Sequence, residues 1–298
     1  MVKILKSWGI NREVFMLGLA RGVDSLGTSM LIILIPLMVS ERNIALGGLS
    51  TPFVIGLLLS VFGLTNCFSQ PPVGVFMDRV GSRKPFLLTG LALYAVCTAG
   101  MIVVYSFGFF FSLRLVQGIS VALTLPPSMA LMTEYTRTEI RGTAMSFYNL
   151  MRLSGFSCGP LLAGWMVGFT SFGVILGIGA GAGIVGFILV YFLVEEPEEI
   201  ATPRANESVL DTFRGLIAPE AREFHKLAYA NVTMATAISL IASLENEFNH
   251  RLAQTPQEFG VAFSALLITM LLFQMPVGRL ADKIGRKVLI VSGLSLLV

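Results

Sequence analysis

The sequence predicts an all-α, multi-pass membrane protein built as two helical bundles, the first complete with six helices and the second cut short in the ninth helix of the chain. Three observations carry this prediction. The composition is 54% hydrophobic and 13% charged, with a mean hydropathy of +0.78, whereas charged residues alone make up roughly a quarter of a soluble domain. Apolar runs of the roughly 20 residues that cross a bilayer recur along the chain. The string Gly74-Val75-Phe76-Met77-Asp78-Arg79-Val80-Gly81-Ser82-Arg83-Lys84 returns as Gly278-Arg279-Leu280-Ala281-Asp282-Lys283-Ile284-Gly285-Arg286-Lys287, 204 residues later (278 minus 74). That is the spacing of whole bundles rather than of solenoid units.

Eight complete spans and one broken one follow in order. They cover about 14–39, 51–73, 85–105, 107–133, 143–168, 171–194, 227–249 and 259–277, and a ninth begins at Val288 and stops at Val298. The first run follows Lys3, Lys6 and Arg12 but is too long for a signal peptide and lacks a small-residue cleavage site, so it reads as a retained helix. Very short joins between the third and fourth spans and between the fifth and sixth force antiparallel neighbours. One long polar segment, from Glu195 to about His225, separates a first bundle (1–194) from a partial second (227–298), with 195–226 as linker. Within it Val209, Leu210, Phe213 and Leu216 share a helical face, which fits a short interfacial helix, while a solvated linker fits equally.

The basic residues orient the chain. Sixteen lysines and arginines lie in loops on the N-terminal side, against Arg42 and Arg251 opposite, and Arg21, Arg114 and Arg152 lie within spans. By the positive-inside rule this predicts a cytoplasmic N-terminus and cytoplasmic basic loops in a cell (plasma or inner) membrane. Cys67, Cys97 and Cys158 all fall in apolar runs and read as small apolar filler. His225 and His250 are isolated, so no metal constellation appears. Nor does a nucleophile or phosphate-binding pattern, so an enzyme is not expected, and no cofactor or nucleic-acid partner is implied.

In the recurring loop, Gly74 and Gly81 suit a tight helix-to-helix turn with close packing. Asp78, an acid among Arg79, Arg83 and Lys84, can pair locally or face a helix N-terminus, where the dipole favours negative charge; an ordinary positive-inside loop is the alternative. Six spans, an acidic linker, then a second set opening with the same loop resemble the major facilitator superfamily of secondary transporters, whose signature between helices two and three reads roughly G-x-L-A-D-R-x-G-R-R/K. Gly74, Asp78, Arg79, Gly81 and Arg83 match, with Phe76, Met77 and Ser82 departing. Gly278, Asp282, Lys283, Gly285 and Arg286 match at every principal position. The resemblance implies that these loops gate the transporter, Asp78 latching one bundle against the eleventh helix. By pseudo-symmetry it places Asp282 near the start of the fifth span, around Gly142 to Ser146.

Two more elements resemble the family. Arg114-Leu115-Val116-Gln117-Gly118 is similar to its R-x-x-Q-G element, in which the buried arginine assists proton transfer. Gly155, Gly159, Pro160 and Gly164 are similar to the G-x-x-x-G-P-x-x-G-G signature of proton-coupled antiporters, with Ala163 where glycine is preferred. From the residues alone, Pro160 bends the helix and the glycines admit a close neighbour, which generic helix packing also explains. Gly173 and Gly177 show similar spacing without special meaning.

Ionisable residues at membrane depth are costly, about 2.5 to 3.5 kcal/mol on insertion scales, and so face cavities or partners. Arg21 and Asp24, three apart, share a face; they form a simple intrahelical pair, or Asp24 is a titrating carboxylate. Arg114 and Arg152 have no acid beside them in sequence; by the resemblance both line the same cavity, or Arg152 instead contacts the polar half of the bundle or attracts an anionic substrate. Glu245, with Glu247, His250 and Arg251, forms either a rim cluster or a second proton or cation site. The function these features imply is export of a small organic solute coupled to protons by alternating access, with the bilayer as the only other partner. The alternatives are a metabolite symporter or uniporter of the same fold, or a transport-incompetent fragment lacking its last helices.

Overall fold

A computed structural model describes residues 11–44, 48–137, 141–196 and 254–295 apart from 285, with isolated positions between 209 and 252. Its principal helices are α1 (Arg12–Glu41), α2 (Thr51–Val80), α3 (Lys84–Gly100, continued by a 3₁₀ turn Met101–Val103), α4 (Phe107–Glu134), α5 (Arg141–Val167), α6 (Phe172–Leu193), α7 (Pro256–Ile284) and α8 (Arg286–Ser295). Thus α1 to α6 are the first six expected spans, α7 the eighth and α8 the ninth. The expected seventh span, 227–249, and the interfacial helix around Glu207 to Leu216 lie largely outside the described residues.

Among the described residues, six helices are long and apolar enough to cross a membrane: α1, α2, α3 with its 3₁₀ turn, α4, α6 and the Pro256–Phe273 part of α7. Although α5 spans 27 residues, it is not among them, which corrects the expected fifth apolar span. Asn149, Arg152, Ser154 and Ser157 dilute its hydropathy. They are tolerated because α5 packs between α1 and α7 instead of standing wholly in lipid.

The recurring string is also not a loop throughout. The first copy is helical through Val80, so Gly74 to Val80 form the last turns of α2, and the second copy is helical from Gly278 to Ile284 at the end of α7. Only Gly81, Ser82 and Arg83 turn the chain. Gly81 adopts a left-handed conformation (φ 67°) and its N–H donates to the Met77 carbonyl at 3.0 Å, the helix stop that glycine makes without steric cost.

Within the first bundle α1 packs on α5 and α6, and α4 packs on α2 and α3, with α3 also against α6. The apolar core falls into two clusters. One, toward the α2–α3 turn, gathers Leu17, Leu87, Leu91, Leu131, Tyr148 and Val190. The other gathers Leu34, Ile55, Met101, Phe110 and, from α7, Phe259 and Phe263. Between them lies a layer of buried polar side chains that includes Asp24, Ser25, Thr98, Gln117, Ser120 and Thr124. Burial of polar groups at this depth is costly unless they find partners, so the layer marks where function is to be sought.

At the end of the bundle opposite the α2–α3 turn, helix termini find polar partners. At the end of α1, Arg42 reaches the 3₁₀ turn, donating to the carbonyls of Met101, Ile102 and Val104 at 3.3, 3.2 and 2.6 Å and lying 5.1 Å from the Tyr105 ring. It satisfies carbonyls that the end of a helix leaves without partners. At the start of α7, Thr255 and Glu258 form a capping box, the Thr255 N–H donating to the Glu258 carboxylate at 2.8 Å and the Glu258 N–H to the Thr255 hydroxyl at 3.3 Å.

Candidate functional site

The deepest ionic feature is on α1. Arg21 Nη1 donates to Asp24 Oδ2 at 2.6 Å, one helical turn apart, with Asp24 almost fully buried. Thr28 donates to the Asp24 backbone carbonyl at 2.9 Å. The i,i+3 spacing thus yields the pair, and the pair lines a narrow cavity with room for about one water molecule, bounded also by Leu87 and Leu91 of α3, Thr124 and Ser128 of α4, and Val190 of α6. Ser128 Oγ lies 2.5 Å from Tyr148 Oη of α5.

The other two membrane arginines part company. Arg114 is buried between two aromatic rings, 5.6 Å from Phe62 and 6.0 Å from Phe110, an arrangement that favours a cation. Its Nε and Nη2 have no hydrogen-bond partner. Its motif companion Gln117 donates to Thr98 Oγ1 of α3 at 3.0 Å. Arg152, half-buried on α5, sits instead in the field of Arg21 and Tyr148. Arg152 thus lies with the Arg21–Asp24 pair, whereas Arg114 is enclosed among α2, α3 and α4, beside Tyr94 and Cys97. Glu245 lies outside the described residues.

The glycines of α5 divide their work. A Cβ on Gly155 would overlap the Gly22 carbonyl of α1, and one on Gly159 would overlap Ser29 Oγ. Gly164 faces the other way: its Cβ would stand 2.8 Å from the Pro256 carbonyl and 3.3 Å from Gly260, while a Cβ on Gly260 would stand 2.7 Å from the Pro160 carbonyl. One helix thereby carries two backbone-to-backbone contacts, to α1 inside the bundle and to α7 beyond the linker. Ala163, at the position where glycine was preferred, is fully buried in the core shared with Phe259 and Phe263. By contrast, a Cβ on Gly177 meets nothing within 4 Å.

At the α2–α3 turn the acid facing the α3 N-terminus is not Asp78, which sits half-buried in the last turn of α2. It is Glu196, from just beyond α6, whose carboxylate accepts from the backbone N–H of Arg83 at 2.5 Å and of Lys84 at 3.1 Å. Arg83, read from sequence as a basic residue of the recurring loop, is buried and paired with Glu134 at the end of α4. The Lys84 ammonium donates to the Tyr191 carbonyl at 2.9 Å, and the Tyr135 hydroxyl donates to the Glu195 carbonyl. Burial, reinforced by the surrounding carboxylates of Glu13, Glu196, Glu134 and Glu195, pushes the Tyr135 phenol well above its ordinary value. Gly74 plays no close-packing part among the described residues, since a Cβ there meets nothing within 4 Å. Arg79 is exposed. The side chains of Gly278's neighbours Asp282 and Lys283, and of Arg286, and all of Gly285, lie outside the described residues, so the expected approach of Asp282 to Gly142–Ser146 does too.

Sequence reading missed Glu134, Glu196, Ser128 and Tyr148. A signal for Ser128 was present: Gln117, Ser120, Thr124 and Ser128 recur at helical spacing, a polar stripe in a helix otherwise apolar. Nothing local distinguishes Glu196 from its acidic neighbours.

An antiparallel six-helix bundle with a polar layer at its middle, continued by a further apolar helix and a second copy of the basic turn, defines a multi-pass membrane protein of the transporter type. The family model of the Major Facilitator Superfamily matches residues 17–226, and the chain belongs to that superfamily. Multidrug resistance protein 2 of Bacillus subtilis (strain 168) is 25% identical over 272 residues, covering 86% of this chain and 64% of that protein. Quinolone resistance protein NorA of Staphylococcus aureus (strain Mu50) is 24% identical over 193 residues, 65% of this chain and 48% of NorA. The chain thus spans about half to two thirds of the length of these relatives. Its fold is that of the crystal structure of a bacterial homologue of the human lysosomal transporter Spinster, inward-facing and unoccupied (TM-score 0.70, 17% identity, 92% of this chain and 63% of that one). The human organic anion transporter MFSD10 (TETRAN) has the same fold (TM-score 0.66, 17% identity, 88% and 71%).

Proposed function

We propose that the protein exports a small organic solute across the cell membrane by alternating access of its two bundles, in exchange for protons. The observation that carries this reading is the buried Arg21–Asp24 pair beside an internal cavity. A carboxylate held that deep in a bundle is expensive unless it serves an ion or proton pathway. Protonating Asp24 releases Arg21, and losing the proton restores the pair, so occupancy of one site switches a contact inside α1. The names of the two bacterial relatives, which speak of multidrug and quinolone resistance, favour export of drug-like compounds over metabolite uptake. The sixteen-to-two distribution of basic residues supports a cytoplasmic N-terminus. Residues 1–194, 195–226 and 227–298 then serve as first bundle, linker and part of a second. The Gly164–Gly260 crossing is the seam about which the bundles rock, and the turns around Asp78 and Asp282 are its gates.

The test is solute movement in proteoliposomes under an imposed pH gradient, with a quinolone and a fluorescent cationic dye as probes. Gradient-driven accumulation that is abolished by Asp24→Asn, while dye binding persists, is the expected result. Accumulation that ignores the gradient would remove proton exchange from the mechanism.

A further inference from the structure

Resting on the reading of Asp24 as the proton-carrying group, we infer that Ser128 and Tyr148 are its proton relay, reached through a single water in the cavity that Asp24 and Ser128 both line. The cavity is wide enough for about one water molecule. Its polar lining consists of Arg21, Asp24, Thr124 and Ser128. Arg21 spends Nη1 on Asp24, and its Nε is buried without a hydrogen-bond partner among the described residues, a donor suited to holding that water. Such a site has the two to four polar partners that a buried water needs.

The hydroxyl pair supplies the rest. Ser128 Oγ is 2.5 Å from Tyr148 Oη and 3.0 Å from the Leu125 carbonyl, to which it donates. Tyr148 is therefore the donor to Ser128 in the resting arrangement. Both residues are almost fully buried, so this short bond is shielded from bulk exchange. Ser128 lies six residues from the end of α4 (134 minus 128) and Tyr148 seven from the start of α5 (148 minus 141). Those are about 9 to 10 Å of helix, at 1.5 Å per residue. Asp24 lies twelve residues into α1 (24 minus 12), about 18 Å on the same measure. The hydroxyl pair thus stands between Asp24 and the end of the bundle that carries the α2–α3 turn.

Transfer is a balanced chain of exchanges. Ser128 turns its O–H from the Leu125 carbonyl to the water. The water gives a proton to Asp24 Oδ and takes the one from Ser128, Ser128 takes the one from Tyr148, and Tyr148 is reprotonated from the side of the basic turns. Each hydroxyl and water oxygen breaks one O–H bond and forms one, the carboxylate gains one, and one positive charge crosses without any heavy atom travelling. The groups that set its pH response are Arg21 on the same helix, Tyr94 on α3, Tyr148 and Arg152 on α5, and Arg114 on α4, which acts through Tyr94; to the cavity lining α4 brings the neutral Thr124 and Ser128, and α6 the apolar Val190. Tyr94 Oη, near Asp24 and beside the hydroxyls of Thr28 and Thr98, is not on this path because Tyr94 does not line the cavity.

The test is a pH jump on the purified protein followed by time-resolved infrared difference spectroscopy of the Asp24 carboxyl band, identified as the band missing in Asp24→Asn. In Ser128→Ala and Tyr148→Phe the band should keep its amplitude and titration midpoint but form and decay about a hundredfold more slowly, the scale of losing one positioned proton-transfer group. Ser128→Thr, which keeps the hydroxyl, should restore the rate. Wild-type rates in both hydroxyl-deleted variants would overturn the relay while leaving Asp24 as the proton carrier. Absence of any titrating Asp24 band in the wild type would overturn the proton reading itself, and the relay with it. Ser128→Ala removes one oxygen only, so it carries the test even where Tyr148→Phe perturbs packing.

Discussion

Gly155 of α5 crosses α1 at Gly22 so closely that a Cβ on Gly155 would occupy the space of the Gly22 carbonyl oxygen. In a bilayer, where lipid is as apolar as a leucine side chain, helix association draws on such backbone proximity and on packing. The contact joins the most polar helix of the bundle to the one that carries Asp24.

Gly155→Ala should therefore destabilise the protein by about 1 to 3 kcal/mol, the usual cost of forcing a methyl into a filled site. Gly177→Ala, in open space on α6, should be neutral or slightly stabilising because alanine is the better helix former. Thermal unfolding of both variants in detergent separates the two outcomes; equal behaviour would show that the α1–α5 crossing is looser than the structure has it.

Gly81→Ala should cost about 1 to 2 kcal/mol, the penalty of placing a side chain in the left-handed region. Gly81→Asn, with a residue that visits this region more readily, should recover part of it. The order glycine, asparagine, alanine in thermal midpoint checks the prediction.

Removing the Glu196 carboxylate takes an acceptor from the first N–H groups of α3. Glu196→Ala should lower stability by about 0.5 to 2 kcal/mol, as loss of a helix cap does, and should speed limited proteolysis just after α6. Unchanged protection of that segment would mean that the cap does not hold the linker.

The Tyr135 phenol, buried and surrounded by carboxylates, has a folded-state pKa above that of a free tyrosine. The folded state thus binds this proton more tightly than the unfolded chain. Its contribution is full below about pH 10, the ordinary tyrosine value, and is lost as pH rises beyond it. Tyr135→Phe should flatten the decline of stability above that pH relative to the wild type; parallel curves would refute it.

Arg42→Ala frees three carbonyls at the end of α3 and its 3₁₀ turn. Faster amide exchange around Val104 to Phe107 is expected, with little change at the α2–α3 turn, which is held at the other end of the bundle.

Most of the architecture is legible from residues one at a time. Hydropathy places α1, α3, α4 and α6 within a few residues, and α2 and α7 up to seven residues short of their ends, because only a hydrogen-bonded apolar helix satisfies its backbone in lipid. The Arg21–Asp24 pair follows from their spacing, and the glycines around Pro160 announce a close crossing. The expected loop at Gly74 failed because helix α2 tolerates two prolines and a glycine before Gly81 ends it. The surroundings of Asp78 and Arg83 were not legible for a different reason: they come from α4 and the start of the linker, 50 and more residues away.

Local pattern thus determined the helices seen among the described residues, their alternation and the family to which they belong, since span length, turn residues and charge bias act over one helix or one loop. Tertiary structure alone decided that Arg114 and Arg152 lie in separate environments and that α5 spends its glycines on two partners. It also decided that Glu196 caps α3 and that Ser128 meets Tyr148 beside the cavity of Asp24. Each of these is a meeting between side chains on different helices, set by how the helices are rotated and crossed, and a single helix's periodicity does not contain that rotation.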